Sequence, residues 1–436
     1  MSTIPHFRWL IAMVLFGATA LSFFDRQVLS VLAPPISEEL GMDNVDYSWV
    51  VFAFIVSYSV MFTVGGWLID RLGTRNGLAL SVGVWSVASL LHGTANSVAQ
   101  LAGFRFLLGV GEGGCFPGAA KGVVEWFPKR ERAIAMGFVA AGGSAIGAVV
   151  APPVIVWTSF RIGWRGAFLA TGLIGGLWLL AWLVFYSRPG QSHFLSEGER
   201  QYIEQDNKEP PVREARITRV ERLEPPVPWK ALLQRSEVWG LVSSRFLFDP
   251  VFYFYMFWIP QYLSQERGAS LERIGQLTWV PFLTLGISSV IGGWLSDKLV
   301  ASGLSVNSAR KTILLASALL TPISVLTVYV ADVETAIALM SVLMFAHGFW
   351  ITNFMTVIGD LFPSRMVATV VGMTGTAGGI GGFLASLLIG RVVERVSFTP
   401  VFLATGVIYP ICALLLLLAI RDIKPVDLDR AGESYA

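Results

Sequence analysis

Charge is scarce in this chain. Of 436 residues only 14% are Asp, Glu, Lys or Arg, against roughly 25% in soluble domains. So little charge excludes an ordinary water-soluble surface. The formal net charge of +2 supplies no basic face for nucleic acid, and none is expected as a partner. Cysteine is scarcer still. Cys115 and Cys412 both fall in apolar runs, which excludes a disulfide framework and reads as two small hydrophobes. The four histidines, His6, His92, His193 and His347, have no metal-ligand spacing, so no metal or other cofactor is expected. Period-2 alternation is missing, which excludes a membrane β-barrel. No cleavable signal peptide is expected either, because the first apolar run is too long and lacks a small-residue cleavage site.

Hydrophobic residues make up 54% of the chain, with a mean hydropathy of +0.62. Runs of about twenty apolar residues recur along its length, each enough to cross a bilayer as a helix. Twelve spans are expected, at 9–33, 48–69, 77–93, 98–120, 133–157, 166–186, 238–263, 275–296, 311–331, 335–359, 366–390 and 399–420. The fold class is therefore all-α integral membrane, in contact with the lipid bilayer. Basic residues set the orientation: of 32 Lys and Arg, 22 fall in tails and loops on the side of the two termini, six on the opposite side and four within spans. By the positive-inside rule both termini are cytoplasmic.

Ser187 to Arg235 breaks the pattern with nine basic and eight acidic residues and the prolines of PPV and PPVP. This reads as a cytoplasmic linker with a short surface helix around 196–205. The expected organisation is an N-terminal six-helix half (1–186), the linker (187–236), a C-terminal six-helix half (237–424) and a tail (425–436). The halves repeat each other. GGWLIDRL at 65–72 matches GGWLSDKL at 292–299, and FPKRERAIAMG at 127–137 matches FPSRMVATVVG at 362–372 in the same order. Paired six-helix halves are a transporter architecture, with a site at the midplane between them.

The polar residues inside the spans carry the functional reading. Asp25 and Arg26 lie in a 25-residue apolar run about 37 Å long as a helix. Charges at that depth face a cavity or a partner; the alternative is a permanent ion pair that fixes helix packing. Arg26 presents a planar fork that matches a carboxylate. Arg105 and Glu112 are seven residues apart, on one side of their helix but about 10 Å apart in height. A buried carboxyl such as Glu112 suits taking and releasing a proton. Tyr58 offers a hydroxyl. Arg245 either pairs locally with Asp249 at i+4 or grips the far end of a ligand. Lys121 either snorkels to the interface or completes an anion path. Thr352, Asn353, Thr374 and Thr376 supply neutral hydrogen-bonding groups. The glycine-rich GVGEGG at 109–114 lies mid-span with no preceding strand, which favours close helix packing over a nucleotide loop. The runs AAGGSAIGAVV at 140–150 and AGGIGG at 377–382 read as small faces on which the halves slide.

GGWLIDRLGTR at 65–75 resembles the cytoplasmic loop motif of the major facilitator superfamily, and the resemblance implies that fold: twelve helices in two pseudo-symmetric halves. Asp70, with Arg71 and Arg75, and Asp297 in the second repeat are then gating residues. RFLLGVGEGGCFPGAAKGVVEWFPKRERAIAMGF at 105–138, RFLFDP at 245–250 and VGMTGTAGGIGGFL at 371–384 resemble the anion:cation symporter branch, most of all its bacterial hexuronate transporters. This implies a proton-coupled symporter importing a sugar-acid anion, in a bacterial inner membrane. Arg26 would hold the substrate carboxylate, Tyr58 would contact it, and Arg105, Arg245, Lys121, Thr352, Asn353 and Thr376 would complete the binding set. Glu112 would couple protons with Arg105 as its regulated partner, and Asp25 would be a second proton site or an internal counter-ion for Arg26. The expected partners are a small carboxylate and protons, with the chain a monomer. The alternative substrates are an aldonate, an aldarate or an aromatic carboxylate. A membrane-embedded enzyme or sensor is the alternative of another class, but the sequence offers no convergent nucleophile–base set.

Overall fold

The computed structural model describes residues 5–205, 232–362 and 364–426. The apolar runs become helices because backbone polar groups in hydrocarbon must be satisfied within each segment. In the first half these are α1 (Phe7–Val31), α2 (Ala33–Leu40), α3 (Asn44–Leu72), α4 (Thr74–His92), α5 (Val98–Glu112), α6 (Cys115–Trp126), α7 (Lys129–Met136) and α8 (Gly143–Phe185), with a π-helical turn at Gly137–Gly142 before α8. A short α9 (Glu197–Gln205) follows in the region expected to be a linker; residues 206–231 of that linker and 427–436 of the tail lie outside the described residues. The second half holds α10 (Ser236–Arg267), α11 (Leu271–Leu277), α12 (Val280–Ala301), α13 (Val306–Leu320) continued by a 3-10 turn (Thr321–Tyr329), α14 (Val333–Leu361), α15 (Ser364–Arg395) and α16 (Thr399–Ala419). Among the described residues, eight stretches are long and apolar enough to cross a membrane on length and composition alone. Joined end to end, the elements make twelve crossings, six in each half.

Three local departures from the expected spans have physical causes. The fourth crossing is two helices, because Gly113 and Gly114 interrupt it between α5 and α6. The fifth and sixth crossings run on as α8 with a single break at Gly163, whose φ of 74° a side chain would oppose. The loop expected at 158–165 therefore shrinks to that one residue. The ninth crossing tightens into the 3-10 turn where Pro322 removes an amide donor.

The glycine runs do not act as expected. In place of a sliding surface between halves, Gly143 and Gly147 bring α8 onto α1 of the same half, and Gly378, Gly381 and Gly382 bring α15 onto α10 of theirs; only Gly379 of these faces the other half, at Ser59. The close approach makes a prediction. A Cβ at Gly147 would collide with the Ala20 carbonyl, whereas one at Gly103 meets nothing within 4 Å. Gly147→Val is expected to destabilise the protein by about 1–3 kcal/mol through overpacking, and Gly103→Ala to be neutral or stabilising by up to about 1 kcal/mol. Thermal unfolding of the two purified variants compares them directly.

Hydrogen bonds between the halves gather at the end away from the termini, called here the far end. Ser30 donates to the Met256 carbonyl at 2.8 Å and Tyr47 to that of Phe257 at 2.5 Å. Gln261 donates to Asn44 at 2.9 Å, and the Asn44 amide donates to Glu394 at 2.9 Å. At the same end Arg165 and Trp164 hold Glu39, and the Arg165 guanidinium keeps that carboxyl below its usual range. On the other side of this seal, two cavities lie between the halves. The larger, about 930 Å³, is lined by residues that include Phe23, Arg245, Asp249, Tyr253, His347 and Thr352; the smaller, about 470 Å³, includes Thr63, Trp239 and Thr376.

Candidate functional site

Helical spacing decides what each charge in α1 can reach. Ser22 and Arg26, four apart, share a face, while Asp25 points about 100° away. On the shared face, Arg26 Nε donates to Glu112 Oε2 at 2.7 Å, Ser22 Oγ donates to the same oxygen at 2.9 Å, and Arg26 Nη2 donates to Ser22 Oγ at 3.2 Å. The ion pair is sealed: Arg26 is 4% exposed and Glu112 0%. The guanidinium centre lies 4.3 Å from the Tyr58 ring, 4.8 Å from Phe23 and 5.5 Å from Phe54, an aromatic cage that offers cation–π contact in place of water. The glycines of 109–114 make this possible. A Cβ at Gly113 would stand 2.5 Å from that of Met61, so only glycine lets the fourth crossing press on α3 and deliver Glu112 to Arg26.

Asp25 faces Ser89, Thr171 and Arg105 instead. It is 2% exposed and its Oδ1 accepts no hydrogen bond. The expectation that Asp25 could be the counter-ion of Arg26 is thereby corrected: Glu112 holds that place. Arg105 is fully buried between Phe54 and Phe168, and none of its three side-chain nitrogens has an acceptor. It lines neither cavity.

In the other half, Arg245 Nε donates to Asp249 Oδ2 at 3.1 Å and Nη1 donates to Thr374 Oγ1 at 3.2 Å, all three on the wall between α10 and α15. Arg245 lines the larger cavity, so the local pair and the cavity position hold together. Thr352 lines the same cavity and donates to the Ser289 carbonyl at 3.2 Å. Thr376 lines the smaller one. Asn353 is buried and spends its amide on the carbonyls of Gly292 and Phe349, at 3.3 and 3.0 Å, which ties α14 to α12. Lys121 reaches the Ile69 carbonyl at 3.4 Å, near the repeated loop motif.

The motif residues sit within their own halves. Arg71 lies over Trp67 at 4.2 Å, and Arg75 donates to the Leu183 carbonyl at 2.6 Å. The Asp70 side chain lies outside the described residues. Asp297 accepts from Arg310 at 2.9 Å, and Arg310 also reaches Asp360 at 3.0 Å. Sequence reasoning missed that Arg310–Asp360 contact, the part of Ser22 and the aromatic cage. The four-residue spacing of Ser22 and Arg26 was the available signal for Ser22.

The chain matches the Major Facilitator Superfamily profile over residues 15–308 and 280–434. It is 30% identical to the D-galactonate transporter of Escherichia coli O6:H1 over 96% of this chain and 97% of that one. It is 30% identical to the hexuronate transporter of E. coli K12, over 98% and 96%, and 30% identical to the probable galactarate/D-glucarate transporter of Bacillus subtilis, over 97% and 94%. Among solved structures it resembles a bacterial homologue of the human lysosomal transporter Spinster, inward-facing and occupied, with TM-score 0.74, 18% identity and coverage of 96% and 98%. A D-xylose–proton symporter follows with TM-score 0.72, 14% identity and coverage of 95% and 98%. These two likenesses establish the fold. The family and the relatives are transporters, not enzymes. With a matching profile along nearly its whole length, the repeated halves and the twelve crossings, this chain is a multi-pass membrane protein that belongs to the major facilitator superfamily.

Proposed function

We propose that this protein is a proton-coupled symporter that imports a sugar-acid anion by alternating access, with a hexuronate as its first substrate. The observation that carries the reading is the sealed Arg26–Glu112 pair. A guanidinium already held by a carboxylate cannot take a second one at full strength. Protonating Glu112 removes its charge, frees the fork of Arg26 and lets the ligand carboxylate replace it. Anion and proton then favour each other's binding, which is the thermodynamic content of symport. The relatives' names place galactonate, hexuronate and galactarate among the anions to test.

In this reading Arg26 and Tyr58 hold the carboxylate, and Arg245, Thr352 and Thr376 meet the rest of the sugar acid from the other half. Lys121 completes the set from the terminal side, while Arg105 and Asn353, buried away from both cavities, support the site without touching the anion. Glu112 and Asp25 carry protons. Asp70, Arg71, Arg75 and Asp297 gate the terminal end, closing against the opposite half when the far end opens. The seal at the far end, with cavities on the terminal side, supports an inward-facing arrangement. Both termini are assigned to the cytoplasm of a bacterial inner membrane, with the protein acting as a monomer. A second reading, an aldarate with two carboxylates, is favoured by Arg245 on the cavity wall; it requires Asp249 to release Arg245 as Glu112 releases Arg26.

Proteoliposomes with an imposed pH gradient test the proposal. Glucuronate or galacturonate is expected to accumulate when the outside is acidic, and the gain is expected to vanish with a protonophore. Uptake indifferent to the gradient would contradict proton coupling. Stronger competition by galactarate than by galactonate would favour the second reading.

A further inference from the structure

One buried titratable group takes no part in the account above. His92 is the last residue of α4 and is 0% exposed. Its Nδ1 lies 2.7 Å from the Ala88 carbonyl oxygen. A carbonyl only accepts, so in the neutral ring Nδ1 carries the hydrogen and Nε2 is a bare lone pair. The ring is stacked on Phe168 at 4.8 Å and 16°, which fixes its plane. Nε2 has no donor.

A donor that lacks an acceptor packs on the same ring. The Arg105 guanidinium carbon lies 5.9 Å from the centre of Phe168, and all of its nitrogens are unpartnered. The charged and titratable groups around Arg105 come from each helix packed there: Asp25 on α1, Tyr47 on α3, His92 on α4 and Glu112 on its own α5. The second segment of α8 brings Phe168 against both Arg105 and His92. A buried guanidinium without any partner is strongly unfavourable, and two sets of free acceptors flank this one. These are Nε2 of His92, at the end of α4, and Asp25 Oδ1 and Glu112 Oε1, both unpartnered as well.

We propose that His92 is the alternate acceptor for Arg105. A change of side-chain torsions joins the guanidinium to Nε2 while the two carboxyls are protonated, and returns it to them when they are charged. The inference rests on the proton-coupled reading above. His92 is a positioning residue: it touches neither substrate nor transported proton, but sets how readily Arg105 leaves the carboxylates. Without that acceptor Arg105 stays with them, favours their charged forms and lowers the pH at which they load.

Two variants separate acceptor from ring. His92→Phe keeps the stacking and removes the lone pair; His92→Gln keeps an acceptor oxygen. Uptake in proteoliposomes as a function of external pH is expected to shift toward acid by roughly one pH unit in His92→Phe, the equivalent of one hydrogen bond to a charged group. Substrate exchange at symmetric pH is expected to stay within about twofold of wild type, and His92→Gln to restore the profile. A His92→Phe profile that coincides with wild type, or a His92→Gln profile shifted equally, would overturn the proposal. Wild-type uptake that ignores the pH gradient would instead overturn the coupling reading itself. Should His92→Phe fail to fold, the imidazole 15N resonances of the wild-type protein decide: Nε2 is expected to accept a hydrogen bond below the loading pH and to be free above it, and a signal that does not move with pH would overturn the assignment.

Discussion

Glu112→Gln is expected to abolish proton-driven accumulation of the sugar acid, by at least about tenfold, while leaving substrate exchange in place. The argument starts from the shared oxygen. Glu112 Oε2 accepts from both Arg26 Nε and Ser22 Oγ, so the charged carboxylate and the ligand compete for one guanidinium. A glutamine is the permanent imitation of a protonated glutamate: neutral, similar in shape, still able to accept from Ser22. Arg26 is then released at every pH, and the anion binds without a proton. Binding and release survive, because the fork and the cavity are intact; the link to the gradient is lost, because no group changes charge when the halves reorient. Counterflow at equal pH and accumulation under a gradient are the two measurements. A variant that accumulates as wild type would remove Glu112 from the coupling role.

Arg26→Lys is expected to weaken substrate binding by about ten- to a hundredfold, the loss of a bidentate, charge-assisted contact worth roughly 1.5–3 kcal/mol. Lysine is chosen because Arg26→Ala would leave Glu112 as a buried charge without a partner, which costs about 3–5 kcal/mol and confuses binding with folding. The ammonium keeps the charge and lies within the cage of Tyr58, Phe23 and Phe54. It cannot present two parallel donors to a carboxylate. Thermal-shift titration with glucuronate, galactonate and galactarate reads the change, since a ligand that binds the folded form raises the melting temperature. Equal shifts in wild type and variant would remove Arg26 from the binding role.

The architecture was legible because its signals are local. A run of twenty apolar residues is a membrane helix whatever surrounds it, and the repeats at 65–72 and 292–299 read without tertiary information. For the candidate site, the sequence singles out the polar residues inside the spans but not how they pair. Asp25 and Arg26 are neighbours in the chain, which suggested one as the counter-ion of the other; adjacent helical positions diverge by about 100°, and the true partner stands 86 residues on, brought close by how α5 packs. Arg105 and Glu112, on one side of one helix, likewise meet different neighbours. Gly163 shows the opposite limit: 158–165 holds two arginines and one glycine and reads as a loop, yet that one residue with positive φ makes the whole turn. The glycine runs read as interfaces between halves, yet most of them set spacing within a half, a distinction that small residues alone do not carry.

The central claim is that a proton arriving at Glu112 releases Arg26 for the anion. Calorimetric titration of the purified protein with its sugar acid, repeated in buffers of different ionisation enthalpy, counts the protons taken up on binding. The account predicts about one proton per bound anion near neutral pH, lost in Glu112→Gln. Binding with no proton uptake in the wild-type protein would contradict it.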